Sequence, residues 1–306
     1  MQRRKVFSAV GLAAAVAVVL AMLPTSLWGQ GQYLDELIVQ VKPEKVMQFE
    51  GIARKIADAN RHANGDRWLA MVSVYGESNT YVFVSRRNSY ADIDKGAEVF
   101  MAAINKTMGK MAGQKLMDEF NSCVESSRAE LLIRRPDLSG KMANDPQALN
   151  DMVGKARVLR VIALRVRPGH EPEFEAMLKD INAHAEANPN AQPVSVSEVI
   201  EGGRGSVYSI AFFRTSLGGF DNNPRLSDFM GEEGMAKVEK TMAEVGAGSE
   251  TAIYRFAPEL SNPPDEIAQV SSDFWNPKPM SAAMPQHKAK AAKASAGATA
   301  KEAPKE

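Results

Sequence analysis

The chain has 306 residues, 44% of them hydrophobic, enough for one large or two medium cores, so disorder can only be local. Lysine plus arginine equals aspartate plus glutamate at 37 each, which removes any whole-chain field for attracting nucleic acid or an acidic surface. Cys123 is the single cysteine, so an intrachain disulfide is excluded and the fold must stand on its core.

Residues 1–31 read as a signal peptide: Arg3, Arg4 and Lys5 precede an apolar run from Val6 to Leu23, then Pro24 and small residues near Gly29 and Gly31. No cysteine follows that run, so a lipoprotein attachment site is absent. The expectation is export to the periplasm or beyond, with no stable membrane span after cleavage. A first unit, residues 32–140, opens with a strand at Glu36 to Val41 stopped by Lys42-Pro43, followed by a helix striped by Val46, Phe49, Ile52, Ala53 and Ile56. Trp68 to Tyr75 and Thr80 to Arg86 form a hairpin through Gly76 to Asn79. A long helix, or two in succession, is expected from Ala97 to Val124, and Glu130 to Arg135 closes the unit as a strand before Pro136.

After a polar connector, residues 141–155, the same order returns in residues 156–260. Arg157 to Arg167 is a strand, Glu171 to Ala187 a helix, Val194 to Ile200 and Val207 to Phe213 a hairpin, Leu226 to Val245 a late helix, and Thr251 to Phe256 the closing strand. The chain is a duplication: Val74 to Asp94 slides onto Glu201 to Asp221 without a gap, aligning Gly76 with Gly203, Tyr81 with Tyr208 and Arg87 with Arg214. Aligning Met108-Gly109 with Met230-Gly231 sets Cys123 opposite Val245, which marks the thiol as a small buried hydrophobe rather than a nucleophile. Residues 261–306, rich in Pro, Ala and Lys, read as a disordered tail, with Phe274 and Trp275 as a strap that docks on the folded body.

Each unit therefore runs strand, helix, strand, strand, helix, strand: an α+β chain of two tandem ferredoxin-like βαββαβ repeats. Each sheet has one helix-free apolar face, and the other repeat is its natural cover. The phrases VIALRVRPGHEPEFEAMLKDI (Val161 to Ile181) and FFRTSLGGFDNNPRLSDFMGEEGMAKVEKTMAEV (Phe212 to Val245) resemble the dimeric α/β-barrel superfamily, most closely its antibiotic-biosynthesis-monooxygenase-like and NIPSNAP-like branches. The resemblance implies that the two repeats close into one intramolecular barrel, whose smallest folded form is a monomer. Haem-binding members carry a histidine on or near the late helix; neither late helix here has one, so no cofactor is expected.

No motif rises to a catalytic signature. Asp92 and Asp94 are too few for a divalent cation and suit capping of a helix starting near Lys95; His62, His170 and His184 sit at helix ends. The segment Glu201 to Ser206 looks like a phosphate loop but lies between strands, so a hairpin turn is the better reading. Weak ligand-binding candidates are the pairs that recur in both repeats: Gln40 and Arg165 in strand one, Tyr81 and Tyr208 in strand three, Arg87 and Arg214 at its exit. If alternation puts them on the helix-free face they line a cavity between the sheets; on the other face they are packing and rim residues. The function classes left are an exported binder of a small molecule and a cofactor-independent monooxygenase-like or isomerase-like enzyme on a small aromatic or polyketide-like substrate. An envelope scaffold using the Lys/Ala tail is a third.

Overall fold

The computed structural model describes residues 33–141, 145–221 and 224–277; the expected signal peptide and residues 278–306 of the tail lie outside these. Among the described residues no helix is long and apolar enough to cross a membrane. The first repeat contains β1 (Tyr33–Val41), α1 (Val46–Ala63), β2 (Leu69–Tyr75), β3 (Thr80–Arg87), α2 (Tyr90–Met108), α3 (Lys110–Cys123) and β4 (Val124–Arg134). Then come α4 (Pro146–Lys155), β5 (Val158–Val166), α5 (Glu171–Ala187), β6 (Ser195–Glu201), β7 (Ser206–Arg214), α6 (Ser227–Val245), β8 (Gly246–Phe256), and two short helices, α7 (Asp265–Ala268) and α8 (Ser272–Trp275).

The eight strands close into one antiparallel barrel in the order β1-β3-β2-β8-β5-β7-β6-β4. Closure occurs by exchange: the last strand of each repeat pairs with a hairpin strand of the other, β4 with β6 and β8 with β2. The chain then laps onto the partner repeat. After β4, Leu138 joins the core around Phe174 and Tyr208, and Asn182 Nδ2 donates to its carbonyl at 2.6 Å. After β8, Leu260 joins the core around Phe49 and Tyr81, and Trp68 Nε1 donates to its carbonyl at 2.8 Å. Ser139 Oγ accepts from the Val196 amide, and Ser261 Oγ from the Ala70 amide, so both repeats use the same lapped serine.

The late helices show why the helical stripe from Ala97 onward has a break in it. Gly109 has φ +84° between α2 and α3, and its aligned partner Gly231 has φ +68° and ψ 179° within α6; glycine adopts these conformations at little cost. The helix begins earlier than the acidic pair suggests. Ser89 caps it through the Asp92 amide while the Asp92 carboxylate takes the Asn88 amide, a reciprocal arrangement that satisfies two amides at once. Cys123 and Val245 are both buried at the ends of their late helices, as the alignment expects.

Three apolar clusters follow. Two lie between the barrel and its outer helices, one per repeat. The third fills one end of the barrel interior, where Met71, Val82, Leu159 and Phe256 meet Leu149 and Val153 of α4, Ile267 of α7 and Trp275 of α8. Residues 261–277, expected as the start of a disordered tail, are thus packed, because they borrow a core rather than build one. Gly154 of α4 lets the strap come close: a Cβ there would lie 2.5 Å from Val270 Cβ. The connector and the strap together plug that end of the barrel, and the opposite, unplugged end carries exposed Ser126, Arg165 and Gly248.

Candidate functional site in the barrel lumen

Strand alternation fixes which side chains enter the lumen. On β1 the odd positions face the helices, Val39 and Val41 being buried with Phe49. The even positions, Leu34, Glu36, Ile38 and Gln40, therefore face inward. Register carries this face to its neighbours: Glu36 sits opposite Val84 of β3 and Glu130 of β4, and Ile38 opposite Val82 and Arg128. On β8, Tyr254 and Phe256 face inward beside Ser73 and Met71. Glu36, Ile38, Val84, Val161, Ala211 and Tyr254 all keep partial exposure on this face, and all of them but Glu36 pack against the third apolar cluster.

Of the six residues singled out by the duplication, the lumen receives two. Gln40 lies near the unplugged end and accepts from Ser126 Oγ at 3.3 Å; Arg165 is exposed at the same rim, opposite Val207 and Gly248. The other four lie outside it, on the helix-covered face. Tyr81 OH donates to Glu50 of α1 at 2.9 Å with its ring 4.8 Å from Phe49, and Tyr208 OH donates to Glu175 of α5 at 3.0 Å with its ring 4.8 Å from Phe174. Burial and these carboxylates push both phenols up. Arg87 makes two 2.7 Å bonds to Asp66 and one of 3.2 Å to Asp35, whereas Arg214 donates to the Phe213 carbonyl and faces the Phe220 ring. Glu198 is also outside, bound with Glu175 and Asp137 to Arg135.

The lumen's own chemistry is a cluster the sequence did not single out. Glu36 is part-exposed on the inward face of β1, opposite Glu130 of β4 and Val84 of β3. Burial is the largest cause raising its pKa, the neighbouring Glu130 carboxylate adds to it, and the Arg128 guanidinium opposes; the net result is about 7. Glu130 is held by Arg128 Nε at 3.1 Å. Tyr254, pushed up first by burial and next by the charge of Glu36, stays a protonated donor in the same space. The sequence signal available was the alternation in Glu36 to Val41, which places Glu36, Ile38 and Gln40 on one face.

The three described histidines lie elsewhere: Nδ1 of His62 and of His184 each meets the carbonyl four residues back on its helix, and His170 stands at the start of α5. Among the described residues no group of histidine, cysteine or carboxylate side chains is arranged to hold a metal.

No family model and no curated protein matches the chain. Among solved structures it is similar to an anthrone oxidase-like protein at 14% identity and TM-score 0.47, covering 74% of this chain and 92% of that one. It is also similar to a candidate monooxygenase from Fusobacterium nucleatum (10%, TM-score 0.46, 74% and 93% covered) and to a chlorite dismutase from Candidatus Nitrospira defluvii solved with imidazole (9%, TM-score 0.43, 79% and 95% covered). The observation that decides the architecture is the closed eight-strand barrel built by two repeats of one chain. The fold is a closed eight-stranded α/β barrel made of two ferredoxin-like repeats. In this α/β barrel the pairing of the two sheets, and with it the lumen, is intramolecular.

Proposed function

We propose that this exported α/β barrel takes a small, largely apolar molecule into its lumen through the unplugged end, and that Glu36 exchanges a proton with it without a cofactor. The observation that carries the reading is the inward-facing, part-exposed Glu36 carboxyl opposite Glu130, with a pKa of about 7. A carboxyl poised at neutral pH is a balanced acid and base, since it is half ionised and transfers protons in either direction. Ile38, Val82, Val84 and Val161 give the molecule an apolar wall.

A compound with an acidic C–H beside a carbonyl suits this set. Glu36 takes the proton, the C–H electron pair moves into the enolate, and the Tyr254 hydroxyl donates to the enolate oxygen. Return of the same proton from Glu36 to another carbon would isomerise the compound with no net redox change. Protonated phenol and ionisable carboxyl thus occupy separate roles because burial pushes both up from different starting values.

The test is hydrogen–deuterium exchange at the acidic carbon of a panel of 1,3-diketones and hydroxyaryl ketones in D2O, followed by proton NMR. The expected result is saturable acceleration for at least one member, lowered about 100-fold or more by Glu36→Gln, the usual range for losing a general base. Equal rates in the wild type and Glu36→Gln would remove the proton-transfer reading.

A further inference from the structure

The plugged end of the lumen differs in sign from its middle. Arg86 follows Val82 and Val84 on the inward face of β3, and Arg134 follows Leu132 on that of β4; both strands flank Leu34. Arg134 pairs in register with Ser197 of β6, which pairs with Ser209 of β7, and Ser195 is the next inward residue of β6. Arg86 Nη1 donates to Asn150 of α4 at 2.6 Å and stands 3.9 Å from Glu266 of α7. Arg134 makes no ion pair or hydrogen bond among the described residues, and neither do the hydroxyls of Ser195 and Ser197, although both serines are more than nine-tenths buried.

Unpaired donors in a protein interior are costly, and they are rare here: the single fully buried polar side-chain atom without a partner among the described residues is Nε of Arg61. Arg134, Ser195 and Ser197 escape that condition only because their polar atoms still touch space large enough for solvent. Burial lowers the pKa of both arginines, and the like charge of Arg134 bears on Arg86. Arg86 has the Glu266 carboxylate at 3.9 Å, whereas Arg134 has no carboxylate in ion-pair reach among the described residues, so the pair carries one positive charge in excess.

We propose that this chamber binds the carboxylate of a small monoanionic ligand, with Arg134, Ser197 and Ser195 as its donors and Arg86 as the second cation. A single negative charge balances the excess, and a planar carboxylate matches the fork of a guanidinium. The site deepens the lumen reading above, on which it rests: the carboxylate end would lie by the plug, and the rest of the molecule would extend along the apolar wall toward Glu36.

The test is calorimetric titration of the full chain with sodium benzoate, with benzamide as its neutral counterpart and inorganic phosphate as the competing anion. Saturable binding of one benzoate, weakened about 10-fold or more in Arg134→Gln, is expected, with benzamide silent and phosphate weaker. Ser197→Ala, a milder change, should weaken benzoate in the same direction. Because Arg134 is desolvated without a partner, Arg134→Met should leave the unliganded protein folded, with Tm unchanged or higher. Absence of benzoate binding, equal binding by Arg134→Gln, or tighter binding of phosphate would each overturn the assignment. Benzoate binding without any C–H exchange would remove the role of Glu36 and leave this site standing; exchange without benzoate binding would do the reverse.

Discussion

Produced separately, residues 33–141 and 145–277 are expected to remain without cooperative structure, and to gain it on mixing. Each half lacks partners that only the other supplies: β4 pairs with β6, β8 pairs with β2, and the lapped turns place Leu138 and Leu260 in the opposite repeat's core. Cutting the chain at the connector leaves two open sheet edges and an apolar face on each half wet, a state prone to aggregation. Joining the halves in one chain replaces a bimolecular encounter by an intramolecular one at high effective concentration. Circular dichroism with urea titration, on each half and on the mixture, reads the outcome. Two halves that unfold cooperatively alone and ignore each other would show that the exchange is dispensable.

Trp275→Ala is expected to cost about 3–5 kcal/mol, the usual range for emptying a fully buried aromatic site. The side chain has no solvent exposure, its ring meets Phe256 at 5.5 Å and Phe274 at 4.9 Å, and Nε1 donates to the Gly154 carbonyl at 2.9 Å. Phe274 in turn lies 3.8 Å under the Arg157 guanidinium, so the strap is held by edge-to-face ring contacts, a hydrogen bond and a cation–π contact together. Trp275→Phe should cost less, since it keeps most of the packing and loses the hydrogen bond. Urea unfolding of the two variants against wild type measures both. A loss below about 1 kcal/mol for Trp275→Ala would mean that the strap is an ornament on a barrel stable without it.

The order of elements was legible because each repeat states it independently. Periodicity located the helices and strands, and the glycines that break the late helices align, Gly109 with Gly231. The equivalence of Cys123 and Val245 likewise showed in the alignment before it showed in the core. What alternation alone could not decide was the face, since both sides of this sheet are covered, one by helices and one by the other sheet. Tyr81 and Tyr208 recur because both anchor a helix through a carboxylate, so recurrence marked a packing device.

Glu36 escaped notice for the opposite reason: the second repeat has Val161 at the matching place, and nothing in the local sequence shows that the register of β1 and β4 brings Glu130 alongside. The docking of Phe274 and Trp275 was legible, but the extent of the plug was not, because residues 261–277 and the connector look polar by composition and become ordered only on a surface that the barrel provides.

The most direct test is the titration of the Glu36 carboxyl by carbon NMR on uniformly labelled protein, with Glu36→Gln identifying the signal. A midpoint near 7 is expected, and Glu130→Gln should lower it, since the Glu130 charge is among its causes. The sign for stability follows. A carboxyl whose folded pKa is raised binds its proton more tightly in the native state, so its contribution is fully present below the unfolded value and is lost as pH rises through about 7. Glu36→Gln should therefore gain stability relative to wild type over that interval. A midpoint near 4.3, the ordinary glutamate value, unmoved by Glu130→Gln, would place Glu36 in open water and contradict the raised carboxyl pKa on which the proposed chemistry stands.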